Sequence, residues 1–171
     1  MSGAGNQDQQ SVAAGERVLR DLIHGVQLHE MHNIITRNGI TTEIVRPEWE
    51  IGRLPIAHMI HVQLRGHAVS AWHCHHLQTD RIFVTDGALR IVLFDDREDS
   101  PTRGKLEVLH LGRARPATLL VPPFVWHGFQ NLESTAGGFL NFFDRAYCYE
   151  NPDEWRLPED TDVIPYRFLR H

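Results

Sequence analysis

Three histidines and one aspartate fall within eight residues of the chain, and these side chains carry its clearest chemical signal. The segment from Trp72 to Asp80 reads WHCHHLQTD. On a β-strand, alternate side chains point to the same face, so we expect His73 and His75 to project together. Another histidine, His127, follows a pair of prolines downstream. Imidazoles beside a carboxylate can bind zinc, iron, manganese or nickel, and an imidazole can also exchange a proton near neutral pH.

The composition narrows the classes of protein to which the chain can belong. Its 171 residues carry a net charge of −5, which argues against nucleic acid or an anionic membrane as a partner. The 42% of apolar residues suffices for the core of one domain. No apolar run approaches the roughly 20 residues of a membrane span, and the two cysteines lie far apart. We therefore expect a cytoplasmic protein.

The elements that must position the histidines read as short β-strands about ten residues apart, with no long amphipathic helix between them. Asp86-Gly87 predicts a hairpin, and Ser100–Gly104 a longer turn. The predicted strands are Thr41–Val45, Ala57–Leu64, Ala68–His75, Arg81–Thr85, Ala88–Phe94, Leu106–Leu111, Ala117–Val121, Gly128–Asn131 and Gly138–Phe143. Such a series favours a sandwich or barrel over a parallel α/β fold.

The two ends of the chain differ from this strand-rich middle. Residues 1–16 are small and polar, which predicts a disordered tail, and a short helix or turn follows from Arg17. The domain is expected to span residues 17–171. Its proline-rich and acidic end is predicted to be a coil or short helical turns lying over the sheet, with Ile164 and Phe168 as anchors.

Two motifs resemble those of the cupin superfamily, in which histidines stand at fixed distances from an acid, a glycine, a proline and an asparagine. The matching residues are His73, His75, Asp80 and Gly87 in the first motif, and Pro122, His127 and Asn131 in the second. Phe124 stands where the second motif usually has glycine. The resemblance implies an all-β double-stranded β-helix, the cupin jelly roll.

Further segments resemble one cupin branch, the dTDP-4-dehydrorhamnose 3,5-epimerase family. Asp96–Gly104 reads DREDSPTRG and is similar to an acid, Ser-Pro-Thr and glycine turn of that family, while Val121–Phe129 is similar to its proline and histidine strand. Similar elements near the N-terminus extend the match over most of residues 23–165. The resemblance implies a homodimeric isomerase that epimerises a nucleotide-linked 4-keto-6-deoxysugar without a metal or other cofactor.

The resemblance also implies roles for particular residues. The family removes a proton from a carbon beside a keto group and returns one from the opposite face, which requires a base and a donor. The base aligns with His73. A second active-site histidine aligns with His127 and is expected to hydrogen-bond the keto oxygen or nearby hydroxyls. The aspartate that orients the base aligns with Asp160, with Asp162 as the alternative. The predicted substrate-binding residues are Arg97, Gln78, Tyr147 and Tyr149.

The sequence departs from the family where the chemistry is most sensitive. Ser70 stands where the family has an arginine, three residues before the base, and Asp80 stands where it has a lysine. The family's tyrosine falls near residues 141–143, which offer no hydroxyl, so Tyr147 or Tyr149 would have to supply one. A negative Asp80 would destabilise an enolate unless another group brings positive charge.

A metal ion is one such source of positive charge. Iron, zinc, manganese or nickel held by His73, His75, Asp80 and His127 would polarise a carbonyl as a Lewis acid. Three functions therefore stay open. The leading one is the nucleotide-sugar epimerase. The others are a metal-dependent cupin enzyme, such as a dioxygenase or isomerase of a small carbonyl compound, and a non-catalytic module that binds a sugar nucleotide.

Overall fold

Two antiparallel five-stranded sheets and a separate two-stranded hairpin make up the fold. The structure is a computed structural model and describes Gln10 and residues 21–169. Its strands are β1 (Gln27–Glu30), β2 (Ile34–Thr36), β3 (Gly39–Thr41), β4 (His58–Leu64), β5 (Val69–Cys74), β6 (Asp80–Asp86), β7 (Ala88–Asp95), β8 (Leu106–Gly112), β9 (Ala117–Val121), β10 (Val125–Asn131), β11 (Gly137–Phe143) and β12 (Trp155–Arg156). No helix in this part of the chain is long and apolar enough to cross a membrane.

The order of the strands confirms the predicted double-stranded β-helix. The first sheet runs β1-β9-β6-β11-β4, the second runs β12-β5-β10-β7-β8, and β2 pairs with β3. Neighbours in space are mostly distant in sequence, as the jelly roll requires. The predicted strands at 57–64, 68–75, 81–85, 88–94, 106–111, 117–121, 128–131 and 138–143 are all present, with ends displaced by up to three residues.

Apolar side chains from both sheets meet between them and form the main core. Its fully buried members are Ile82, Leu89, Ile91, Leu93, Leu109 and Leu119. A second cluster lies on the outer face of the second sheet, where Trp72 packs beneath the C-terminal segment. Ile164 and Phe168 anchor that segment, as predicted. Full burial of one Val, Leu, Ile or Phe side chain stabilises the folded state by about 1.5 to 3 kcal/mol.

Some sequence predictions fail for local reasons. The expected strand Thr41–Val45 is wrong, because only Thr41 pairs, within the exposed β2–β3 hairpin. Strands β1, β2 and β12 were missed because each is too short to show a period of two. The predicted tail falls almost wholly outside the described residues, as does the start of the predicted short helix at Arg17, whereas Leu22 and Ile23 are not helical.

The Asp86-Gly87 dipeptide turns the chain as predicted, but it does not make a hairpin. Gly87 adopts a φ of +74°, which glycine reaches without steric cost. The strands on either side belong to different sheets, since β6 pairs with β9 and β11 whereas β7 pairs with β8 and β10. The turn therefore carries the chain from one sheet to the other. The hairpin of this region joins β7 to β8 and contains the predicted turn at Ser100–Gly104.

A buried carboxylate organises the loop between β7 and β8. Asp95 is 0% exposed and binds the Arg97 guanidinium through both oxygens, at 2.8 and 2.9 Å. Its Oδ2 also accepts hydrogen bonds from the hydroxyls of Ser100 (2.5 Å) and Thr102 (2.6 Å). Burial raises the pKa of Asp95, but these donors outweigh burial and hold the pKa well below its usual range.

We predict that Asp95→Asn lowers the free energy of unfolding at pH 7 by about 2 to 3 kcal/mol, because the new amide NH₂ would face hydrogen-bond donors. A carboxylate with a lowered folded-state pKa stabilises the protein above its unfolded pKa and loses that contribution as the pH falls. The difference between wild type and variant should therefore shrink below about pH 4. Urea unfolding of wild type and Asp95→Asn at a series of pH values measures this difference in the free energy of unfolding. The exposed neighbour Asp96, changed to Asn, is the control, and an equal loss in both variants would contradict the prediction.

Candidate active site

The histidines of the sequence motifs meet between the two sheets. Strands β5 and β10 are neighbours, and their register places His73 opposite His127, with ring centroids 5.7 Å apart. His75, just beyond the end of β5, has its ring 5.4 Å from that of His127. Phe129, a member of the main core, contacts the rings of both His73 and His127. The three imidazoles therefore occupy the inner side of the second sheet.

A glycine makes this register sterically acceptable. The pairing of β5 with β10 shifts between His127 and Phe129, so that β5 bulges opposite Gly128. A Cβ atom on Gly128 would lie only 2.7 Å from the Cβ of Ala71 and 3.0 Å from the ring of Phe168. Any larger residue at position 128 would force β5 away from β10, and with it His73 away from His127.

Asp80 reaches the histidines from the opposite sheet. It lies at the start of β6 and is 1% exposed. Its Oδ2 lies 3.4 Å from Nε2 of His75 and 3.3 Å from Nε2 of His127. Its Oδ1 accepts a hydrogen bond of 3.2 Å from the amide of Gln78. One buried carboxylate thus connects the two sheets at the site.

The pKa values in this cluster follow from burial and from the charge of Asp80. Burial alone would lower the pKa of His75, but the adjacent Asp80 carboxylate outweighs it and raises that pKa to about 9. Burial would raise the pKa of Asp80, whereas the neighbouring imidazoles of His127 and His75 outweigh burial and lower it. In the metal-free protein at neutral pH, His75 is therefore protonated and Asp80 is a carboxylate.

His73 has a different environment although it lies two residues away. It is half-buried, and its Nε2 lies 2.9 Å from Ser70 Oγ and 3.3 Å from Nη1 of Arg156. Burial lowers the pKa of His73, and its neighbours His127 and Arg156 lower it further, to about 3. Because a guanidinium can only donate hydrogen bonds, the facing Nε2 is the unprotonated nitrogen. His73 is therefore neutral, with a lone pair on Nε2.

Two residues that contact His73 were not predicted as site residues. Ser70 occupies the position where the resembling family has an arginine, and its hydroxyl reaches the His73 ring. Arg156 restores a guanidinium from another part of the chain, because β12 pairs with β5 and places Arg156 opposite His73. Strand β12 is two residues long, so no sequence pattern could have shown this pairing.

The structure does not bring Asp160 to His73. Asp160 is exposed, and within the described residues no hydrogen bond links it to that ring, whose contacts are Ser70 and Arg156. Its alternative, Asp162, pairs with Arg167 instead. The expectation that an aspartate orients His73 therefore does not hold.

Other predicted residues also lie differently from expectation. Both ring nitrogens of His127 face protein groups, Nδ1 the carbonyl of Val125 at 3.1 Å and Nε2 the Asp80 carboxylate at 3.3 Å. Arg97 is bound to Asp95 and lines a cavity of about 510 Å³ with Trp126, His76 and Cys74. The side chains of His76 and Cys74 point away from the histidine cluster.

Two of the remaining predicted residues, Gln78 and Tyr147, line a second cavity. A space of about 430 Å³ is lined by Gln78, Tyr147 and Asp153, among others. Gln78 is buried and connects this cavity to Asp80 through its amide. Tyr149 is 82% exposed and packs edge-on against Tyr147, with ring centroids 5.1 Å apart. The predicted substrate-binding residues are thus divided, with Arg97 apart from the other three.

Asp153 holds the loop that carries His75 to Asp80. Its carboxylate accepts hydrogen bonds from the backbone N–H groups of His76, Leu77 and Gln78, at 2.9, 2.8 and 3.0 Å. Its own carbonyl lies 2.5 Å from Nδ1 of His75. One residue of the C-terminal segment therefore fixes both the loop backbone and the orientation of the His75 ring.

Comparison with known sequences gives one consistent result. Residues 54–162 match the family described as dTDP-4-dehydrorhamnose 3,5-epimerase. The probable low-salt glycan biosynthesis epimerase Agl13 of Haloferax volcanii is 31% identical over 139 residues, which cover 81% of this chain and 89% of that protein. The spore coat polysaccharide biosynthesis protein SpsL of Bacillus subtilis is 36% identical over 100 residues, 58% of this chain and 66% of that protein.

A solved structure agrees with the sequence comparison. The dTDP sugar isomerase of Desulfovibrio desulfuricans G20 superposes with a TM-score of 0.77 at 29% identity. The superposition covers 85% of this chain and 92% of that one. The strand order described above is therefore shared along nearly the whole length of that protein.

We predict that Asp153→Ala lowers the free energy of unfolding by about 2 kcal/mol, because it removes three hydrogen bonds to one charged group. Hydrogen exchange at the amides of His76, Leu77 and Gln78 should become faster at the same time. Asp160→Ala, in the same segment but exposed, is the matched control and should change stability by less than about 0.5 kcal/mol. Unchanged exchange at those three amides would contradict the assigned role of Asp153.

Proposed function

The chain belongs to the dTDP-4-dehydrorhamnose 3,5-epimerase family, and from this we propose that it epimerises a nucleotide-linked 4-keto-6-deoxysugar at a carbon beside the keto group. The family resemblance of the sequence is thereby confirmed, as is the expectation of an isomerase. Relatives named epimerase or isomerase favour this function over a metal-dependent dioxygenase or a binding module.

One observation supports this reaction most strongly: a neutral imidazole with an unprotonated nitrogen lies directly beside a guanidinium. The His73 Nε2 lone pair can accept the proton of the carbon acid, while the electrons of the broken C–H bond move to the carbonyl oxygen as an enolate. Arg156, 3.3 Å from that nitrogen, is placed to bind the enolate oxygen and stabilise its charge. Arg156, whose Nη2 also pairs with Glu154 at 2.9 Å, is thus the guanidinium placed where Ser70 and Asp80 offer no positive charge.

Return of a proton to the opposite face of the carbon inverts its configuration. Tyr147 is the donor we assign, because it lines the cavity that Gln78 connects to Asp80. Tyr149 packs against the Tyr147 ring and supports it. A proton is removed and a proton is returned, so the oxidation state of the sugar is unchanged and the reaction requires no redox cofactor.

The test is deuterium uptake into dTDP-4-keto-6-deoxyglucose in heavy water, followed by NMR. Wild-type protein should exchange the hydrogen at C3, C5 or both, and His73→Asn should slow exchange by at least about 100-fold. His76→Asn is the matched control, since His76 is the neighbouring imidazole on the outer face, stacked on Trp155. No exchange by wild type with any of several nucleotide sugars, or unchanged exchange in His73→Asn, would refute the proposal.

Arg156 is tested in the same assay. Arg156→Gln should lower kcat by about 10- to 100-fold with a smaller effect on KM, because the guanidinium acts on charge that develops in the transition state. Arg156→Lys, which keeps the charge, should recover part of the loss. If Arg156→Gln and Arg156→Lys had the same kcat, the charge of Arg156 would have no role in the reaction.

A further inference from the structure

Three ligand atoms converge near His73 that the proposed proton transfer does not use. His75, Asp80 and His127 each offer one atom, and these atoms lie within 4.8 Å of one another. The two Nε2 atoms lie 3.4 and 3.3 Å from the same carboxylate oxygen. All three side chains are buried, at 5%, 1% and 2% exposure, so bulk water cannot solvate them.

Within the described part of the chain, the only groups near the shared oxygen of Asp80 are the two imidazoles of His75 and His127. Among the described residues no group donates a well-aligned hydrogen bond to Oδ2, although Gln78 donates one to Oδ1. A buried carboxylate oxygen without such a partner is unfavourable, and native proteins supply a donor, a water molecule or a cation at such positions. The position between this oxygen and the two imidazoles therefore suits a cation.

Both imidazoles are oriented as metal ligands are. His75 Nδ1 faces the carbonyl of Asp153 and His127 Nδ1 faces the carbonyl of Val125, at 2.5 and 3.1 Å. A carbonyl can only accept, so Nδ1 carries a proton on each ring. Nε2 is the nitrogen that can offer a lone pair, in His75 after its Nε2 proton has left for solvent. A ligating histidine typically donates its other ring N–H to a carbonyl or carboxylate in this way.

We propose that His75 Nε2, His127 Nε2 and Asp80 Oδ2 bind one divalent first-row transition-metal ion. Two nitrogen ligands and one oxygen ligand suit zinc, iron(II), cobalt or nickel and do not suit magnesium or calcium. Three protein ligands leave a coordination position for water or a carbonyl oxygen. His73 is not a ligand, because its Nε2 faces Ser70 and Arg156, and this corrects the four-residue set expected from the sequence.

The proposed site is independent of the proposed epimerisation. The base and the guanidinium stand outside the ligand set, so either proposal can fail alone. Placed beside His73, a divalent ion would leave the cluster with one net positive charge when Asp80 is ionised and both ligating imidazoles are neutral. The site would thus add positive charge where the resembling family has lysine in place of Asp80.

The experiment is titration of metal-stripped, untagged full-length protein with Zn²⁺ by calorimetry near neutral pH. Wild type should bind one ion per chain, and His75→Gln and Asp80→Asn should each weaken binding by roughly 100-fold or more. His73→Asn and His76→Asn are the controls and should bind as wild type does. Retained Zn²⁺ binding in His73→Asn, together with lost deuterium exchange, would separate this site from the catalytic proposal.

A measurement on the unaltered protein covers the case in which the ligand variants do not fold. With Co²⁺ bound, proton NMR should show two strongly shifted, exchangeable ring N–H signals, from Nδ1 of His75 and of His127. Because His73 does not bind the ion, its ring should give no strongly shifted N–H signal. Failure of wild type to bind one ion, equal binding in His75→Gln, or a bound His73 ring would each overturn the proposal.

Discussion

Asp80 places a negative charge between two β-sheets, where burial costs several kcal/mol unless positive groups surround the carboxylate. The structure meets this requirement with His75 and His127 on one oxygen and Gln78 on the other. Because Asp80 belongs to the first sheet and His127 to the second, the same contact also sets how the sheets meet at this end of the molecule. Any change in this charge therefore alters both the electrostatics of the site and its geometry.

His73 differs from the other two imidazoles because it does not contact that carboxylate. Its neighbours are a hydroxyl and a guanidinium, which favour the neutral ring with an unprotonated Nε2 that accepts hydrogen bonds from them. Histidines two residues apart, one in β5 and one just beyond its end, thus have different charges: His75 is a cation in the metal-free protein, and His73 stays neutral. Because the two rings differ in charge, one cluster can provide both a base, at His73, and a site for a cation, at His75.

The sequence predicted those parts of the site that depend on local pattern. Alternation along β5 placed His73 and His75 together, and the turn dipeptide at Gly87 marked a real change of direction. Pairing between distant segments was not predictable in this way. Arg156 reaches His73 only through the two-residue strand β12, and the Asp86-Gly87 signal could not show that its flanking strands enter different sheets. Asp160 has the right position in the sequence but lies on the surface.

The central claim is that the chemistry occurs between the sheets, at His73, and not in the cavity beside Arg97. A crystal structure with a non-reacting dTDP-hexose tests this most directly. The account predicts C3 or C5 of the hexose within about 3.5 Å of His73 Nε2, with the oxygen on C4 facing Arg156. A hexose ring bound among Arg97, His76 and Trp126, on the outer face of the second sheet, would contradict it.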